Sequence, residues 1–180
     1  MMNVLSKAQA LYDAWVRVTG APPPTKTCVV LGLAQATHET HCGDDWPGSH
    51  NWGACDLRAT NPAEQAAILD GTLKSGMWLY PDGTWGAAPR PDARGILHAD
   101  SYPTAAGPHW YSVWFAAFPD DVSGAAYFLR IVLRMLGAAA NDPGLSVESW
   151  ATACYVHGYY AGVHAGARPM DKRTPPLNAA

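Results

Sequence analysis

Residues 26 to 41, KTCVVLGLAQATHETH, constrain the fold of this chain more than any other stretch. Apolar side chains stand nearly all round the segment at helical spacing, so it is expected to form a helix buried on most sides, with other elements packed around it. The polar residues gather at its end. Glu39 lies between His38 and His41, with Gln35 four residues before it and Leu31 four before that. Positions four apart share a helix face, so Glu39 continues a stripe that is otherwise buried or faces a cleft. A carboxyl held there loses part of its water, which disfavours the charged form and raises its pKa.

The rest of the chain supplies partners for that helix. Residues 4 to 19 carry Val4, Ala8, Leu11, Trp15 and Val18 on one stripe, stopped by Gly20 and a run of prolines. Residues 122 to 137 repeat the pattern from Val122 to Leu136, entered through Asp120 and Asp121 as capping residues and closed at Gly137. A helix over 146 to 157 starts at Ser146 with Glu148 in its first turn, and a short one over 62 to 70 has Asn61 as cap, Pro62 at its first position and Gly71 as stop. Between Gly71 and Asp120 the texture changes to aromatic and β-branched residues broken by Gly and Pro, as in MWLYPDGTW, which predicts a small β lobe or an irregular insert.

The expected fold is therefore α+β: a mainly helical body with a cleft beside the insert, in one domain over residues 1–166, and a disordered tail over 167–180. The first twenty residues read as an amphipathic helix rather than a signal peptide, and no run of about 18 apolar residues is expected to span a bilayer.

Charge narrows the partners. A net charge of -3, with no clustered Lys or Arg, argues against tracking a phosphate backbone and leaves neutral polymers or small molecules. Eight Trp and eight Tyr suit sugar faces and equally suit a core.

Metal and thiol chemistry fit the sequence less well. HETH places His38 and His41 three apart, whereas the zinc helix motif needs four, and no paired C-x-x-C accompanies Cys42, His50 and Cys55. No G-x-S-x-G is present for a serine nucleophile. No metal and no cofactor are expected. Cys42 and Cys55 bracket a turn-rich loop and would pair only in an oxidising compartment, while Cys28 and Cys154 read as buried thiols.

The stretch LGLAQATHETHCGDDWPGSHNWGA resembles the lysozyme-like peptidoglycan hydrolases of the glucosaminidase family, glycoside hydrolase family 73 and relatives. That family's pattern is roughly A-Q-A-x-x-E-[ST]-x-[WC]-G followed by N-x-F-G, and Ala34, Gln35, Ala36, Glu39, Thr40, Gly43, Asn51, Trp52 and Gly53 stand in those places. WYSVWFAAFPDDVSGAAYFLRIV looks like its F-R-x-Y-x-S strand and following helix, and WATACYVHGYYAGV looks like its G-Y-A-T-D ending. The likeness runs from about residue 4 to 165. Ala116 and Phe118 replace the usual arginine and tyrosine, and the T-D pair is missing, which also makes YYAG similar to the A-Y-N-A-G of lytic transglycosylases.

The resemblance implies a lysozyme-like fold that cuts the glycan strand of peptidoglycan as an N-acetylglucosaminidase. A muramidase, a lytic transglycosylase and a non-catalytic wall-binding module on the same scaffold are the alternatives. Glu39 matches the general acid, Tyr159 the cleft tyrosine, and Asp100 falls where the second carboxylate is expected, with Asp82 and Asp92 as rivals. Gln35, Asn51, Trp52 and Tyr160 are expected to bind substrate, and Trp46 and Trp110 are further stacking candidates. No nucleic-acid or membrane partner is implied. A wall enzyme without a signal peptide would reach the periplasm or the outside by phage lysis, in a virion or through a secretion system, in company with a holin, a tail component or an immunity protein.

Overall fold

The computed structural model describes residues 3–45, 49–104 and 107–157, with side chains for all of these except 101–104 and 107–110. Among the described residues, five α-helices, one 3-10 turn and five strands follow one another in an α+β arrangement. Helix α1 runs Val4–Thr19, capped by the Asn3 side chain and ended by Gly20 in the left-handed region. Helix α2 runs Lys26–Thr40 behind the Thr25 cap. After the short strand β1, Asp56–Ala59, comes α3, Pro62–Leu69, opened by Asn61 and Glu64 in a reciprocal capping box. Strands β2 (Trp78–Leu79), β3 (Trp85–Gly86), β4 (Gly95–Thr104) and β5 (Gly107–Ala116) lead into α4, Asp121–Leu136, a 3-10 turn at Gly137–Asn141 and α5, Val147–Val156.

The helical body closes on Leu11, Trp15, Leu31, Phe128, Leu129 and Trp150. Helix α2 lies close to α1 at Gly32, where a Cβ would come within 3.1 Å of the Leu11 side chain. Helix α2 is buried or half-buried on most sides, with one exposed ridge of Val30, Ala34 and His38, four apart. One expectation for these helices needs correction. In α1 the buried stripe includes Lys7, and Val4 is exposed. A cation replaces the apolar residue there because carboxylates wait opposite it.

The stretch Asp121–Asn141 is long and apolar enough to cross a membrane by length and composition, contrary to the expectation that none would be. Its apolar stripe from Ala125 to Val132 belongs to the core, while Arg130 and Arg134 project from its outer side.

The insert is one antiparallel sheet in the order β1-β5-β4-β2-β3. The sequence predicted β texture here but not β1, a four-residue edge strand whose pairing with β5 is broken between Asp56 and Arg58. One sheet face carries Leu79, Leu97 and Trp114, sealed by Leu73 and by Ala67 and Ile68 of α3. The pairs Trp78–Ile96, Ile96–Phe115 and Phe115–Asp56 lie on the opposite face, since directly paired residues point the same way.

Candidate active site

The end of α2 is held by an unusual turn. His41, Cys42 and Gly43 all have positive φ, and the Cys42 N–H donates to Ala36 O at 3.0 Å while Gly43 N–H donates to the Thr40 hydroxyl at 2.9 Å. A side chain at Gly43 would stand 2.6 Å from the His50 backbone, and one at Gly124 of α4 would stand 1.8 Å from His50 O. Residues 49–53 are thus wedged between the end of α2 and the start of α4, and only glycine fits at either contact.

Asn51 and Trp52 make this wedge rather than a surface. Both are fully buried. Asn51 accepts from Cys55 N–H at 2.8 Å and donates to Cys55 O at 3.0 Å and Ala116 O at 2.9 Å, which ties the loop to β5. The Trp52 indole donates to Asp121 at 3.3 Å. The expectation that both bind substrate gives way to a structural role, because neither has an open face to offer.

A polar network secures the other side of the wedge. The Lys7 ammonium donates to Cys42 O, Asp44 and Asp121 at 2.9, 2.5 and 2.8 Å, and His50 Nδ1 lies 2.8 Å from the same Asp121 oxygen. Burial works against the Lys7 charge, but the two carboxylates outweigh it and raise its pKa. Burial likewise opposes the Asp121 charge, and bonds from Lys7, His50 and Trp52 bring its pKa below the usual value.

Glu39 stands in the last turn of α2, half-buried. Loss of water pushes its carboxyl above the ordinary value, against opposing pulls from His38 and from the Gln35 amide, which donates to it at 2.8 Å. Gln35 is itself fully buried, so it positions Glu39 and presents no surface to a substrate, a correction to its expected binding role.

The sheet brings a second set of groups to this end. Asp56 opens β1, and loss of water raises its pKa while His98 pulls it down. The His98 ring lies 5.9 Å from Tyr111 and 5.8 Å from Phe115, centroid to centroid. Burial, then the charge of Asp56, raises the Tyr111 phenol. The Cys55 thiol is pushed up to about 12 by burial and then by the charges of Asp56 and Glu39. Glu39 and Asp56 are therefore both within electrostatic reach of one thiol.

Asp100 is exposed on the same sheet face, paired with Tyr111. It stands four residues along β4 from Ile96, the row of Asp56, a separation of about 13 Å at the rise of a strand. Asp56 feels both His98 and Tyr111 on this sheet face, and Asp100 lies in the Tyr111 row, further from the Asp56 end. Asp56 was missed because nothing in DLRA marks it as facing an imidazole two strands away; register alone does that.

Asp82 caps its own turn through Thr84, and Asp92 is exposed in a loop. Tyr159, Tyr160 and Trp46, like the tail over 167–180, lie outside the described residues, and so does the side chain of Trp110.

All four cysteines are buried, and no disulfide joins Cys42 to Cys55. His41 pairs with Asp45 and His50 with Asp121, and among the described residues no three His, Cys, Asp or Glu side chains converge as a metal would need.

No protein-family model matches the chain, and neither a curated protein nor a solved structure does so.

Proposed function

We propose that this chain has a lysozyme-like fold and cleaves the glycan strand of peptidoglycan as an N-acetylglucosaminidase, with Glu39 as general acid. The observation that carries the reading is the raised pKa of a half-buried Glu39 whose hydrogen-bond donor is a neutral amide. Cleaving a glycosidic bond needs a carboxylic acid that holds its proton to higher pH than an ordinary glutamate, and desolvation moves Glu39 in that direction. The resemblance of LAQATHETHCG to the glucosaminidase pattern supports the same residue for the same task.

Glu39 gives its proton to the leaving oxygen as positive charge grows at the anomeric carbon. Asp56, rather than Asp100, answers that charge from the sheet side, alone or beside the substrate's own N-acetyl group, and water then adds to the anomeric carbon as its proton returns to the Glu39 carboxylate. Its place in the Phe115 row, next to a residue that feels Glu39, favours it over a carboxyl about 13 Å along the strand.

The test is digestion of purified sacculi with separation of the released fragments. Glu39→Gln is expected to lower turnover by at least about 10³-fold while keeping the fold. Asp56→Asn is expected to cost more than Asp100→Asn. Turnover retained in Glu39→Gln rejects the acid, and a reducing-end N-acetylmuramic acid or an anhydro product rejects the glucosaminidase assignment.

Activity follows the sign of the two shifts. It requires a protonated Glu39 and an ionised Asp56, so it rises through the pKa of Asp56 and falls as pH passes that of Glu39. Both limbs lie above the positions of unperturbed Asp and Glu.

A further inference from the structure

Asp56 stands at the start of β1, and the sheet register decides what can act on it. Directly paired residues share a face, and so do residues two apart along a strand. The face of Asp56 therefore carries Phe115, Val113 and Tyr111 from β5 and Ile96, His98 and Asp100 from β4. His98 is paired with Val113, which makes Phe115 and Tyr111 its two diagonal neighbours. Its half-buried ring contacts both of theirs, 5.8 Å from Phe115 and 5.9 Å from Tyr111 between centroids. Phe115 is also the direct partner of Asp56, on the other side of β5. The carboxylate and the imidazole thus flank one aromatic ring, from strands two spacings or about 10 Å apart.

The charges around Asp56 single out His98. Desolvation works against the Asp56 anion, and His98 is the group that opposes it. Arg58, the cation nearest in sequence, is turned to the opposite face, where it grips Glu64 and lies over the Trp114 ring. The other titratable groups around Asp56 are Tyr111 on the same face, Cys55 before it in the chain, Glu39 of α2, which acts on that thiol, and Asp100 further along β4. Each of these is neutral or negative in every protonation state, so none can support a neighbouring carboxylate by charge. An imidazole can, because it takes up a proton on the acid side of neutrality, where carboxylates lose theirs. The Tyr111 and Phe115 rings give it a fixed seat from which to do so.

We propose that His98 is a positioning residue for the second carboxylate: seated against Tyr111 and Phe115, its imidazolium holds Asp56 as an anion across the Phe115 ring. This role in cleavage rests on reading Asp56 as the partner of Glu39. A purely structural His98 would only fill the space beside two rings, and an uncharged ring would serve as well.

Two variants separate charge from packing. His98→Phe keeps a ring beside Tyr111 and Phe115 and removes the cation, whereas His98→Lys keeps a cation and removes the ring; His98→Gln replaces the former should it fail to fold. The Asp56 carboxyl is followed in the full chain by carbon-13 NMR across an acid titration, its resonance assigned by loss in Asp56→Asn, so this reading needs no activity. Digestion of purified sacculi over the same pH range supplies the second reading. In His98→Phe the Asp56 midpoint is expected to rise by about half a pH unit, the acid limb of kcat/KM to rise with it, and the alkaline limb to stay in place. His98→Lys is expected to return both midpoint and limb to their original positions. An Asp56 midpoint that stays put in His98→Phe, or rises as far in His98→Lys, overturns the role of His98 and leaves Asp56 standing as the second carboxylate. A midpoint that rises while the acid limb does not move overturns Asp56 in the reaction and, with it, any part of His98 in cleavage.

Discussion

Two glutamates, Glu39 at the end of α2 and Glu64 in the first turn of α3, sit in surroundings that drive them in opposite directions. Glu64 is the more deeply buried, at 1% exposure. Burial alone would raise its pKa, yet it falls below the ordinary value, because Arg58 grips both oxygens at 2.8 and 2.6 Å and the Asn61 N–H adds a third bond at 2.8 Å. Glu39 keeps more contact with solvent and rises, since its donor is an amide without charge. The donors facing a carboxyl, more than its depth, decide whether it is a structural anion or an acid that can release a proton.

The sharpest way to break this contrast is to remove the cation. Arg58→Met should destabilise the fold by about 3 kcal/mol in urea titration, because it strands a buried carboxylate, and should turn the Glu64 shift from downward to upward. Of similar size is Gly124→Ala, which presses a methyl group into His50 O and should cost at least about 3 kcal/mol while displacing the wedge that holds Glu39 in place.

A smaller effect carries the opposite sign. At neutral pH Glu39→Gln should raise the melting temperature, because it replaces a desolvated charge with a neutral group that still accepts from Gln35. A raised pKa means that Glu39 favours the fold fully below its ordinary pKa and loses that contribution as pH climbs through the folded value, so the advantage of the variant should vanish in acid. Glu64→Gln should behave in reverse, costing stability at neutral pH. The contribution of Glu64 is present above its ordinary pKa and is lost as pH falls through its depressed folded value. An equal sign for the two variants would remove the distinction.

The smallest effect comes from Gln35→Leu. Its amide lowers the pKa of Glu39, so removing it should move the alkaline limb of the activity profile upward with the acid limb in place.

Much of this was legible along the chain, and the gaps share a cause. The bounds of α1, the Asn61 and Pro62 start of α3, the Asp120 cap and the place of Glu39 all follow from contacts within a few residues, where propensity and side-chain capping act. Asn51 and Trp52 stand in a motif, and a motif does not say whether a side chain faces a ligand or ties a loop to β5 across 65 residues. Asp56 carried no local signal because its neighbours arrive from β4 and β5.

The sequence by itself determined which segments would be helical, where they would start and stop, and that one acid would lie at the margin of the core. These are properties of residues three or four apart. Only the tertiary structure decided that Glu64 would meet a guanidinium, that Lys7 would replace an apolar contact, and that Asp56 would share a sheet face with His98 and Trp78. Charge energies depend on distance and on the water displaced by distant parts of the chain, and neither quantity exists until the strands have paired and the helices have packed.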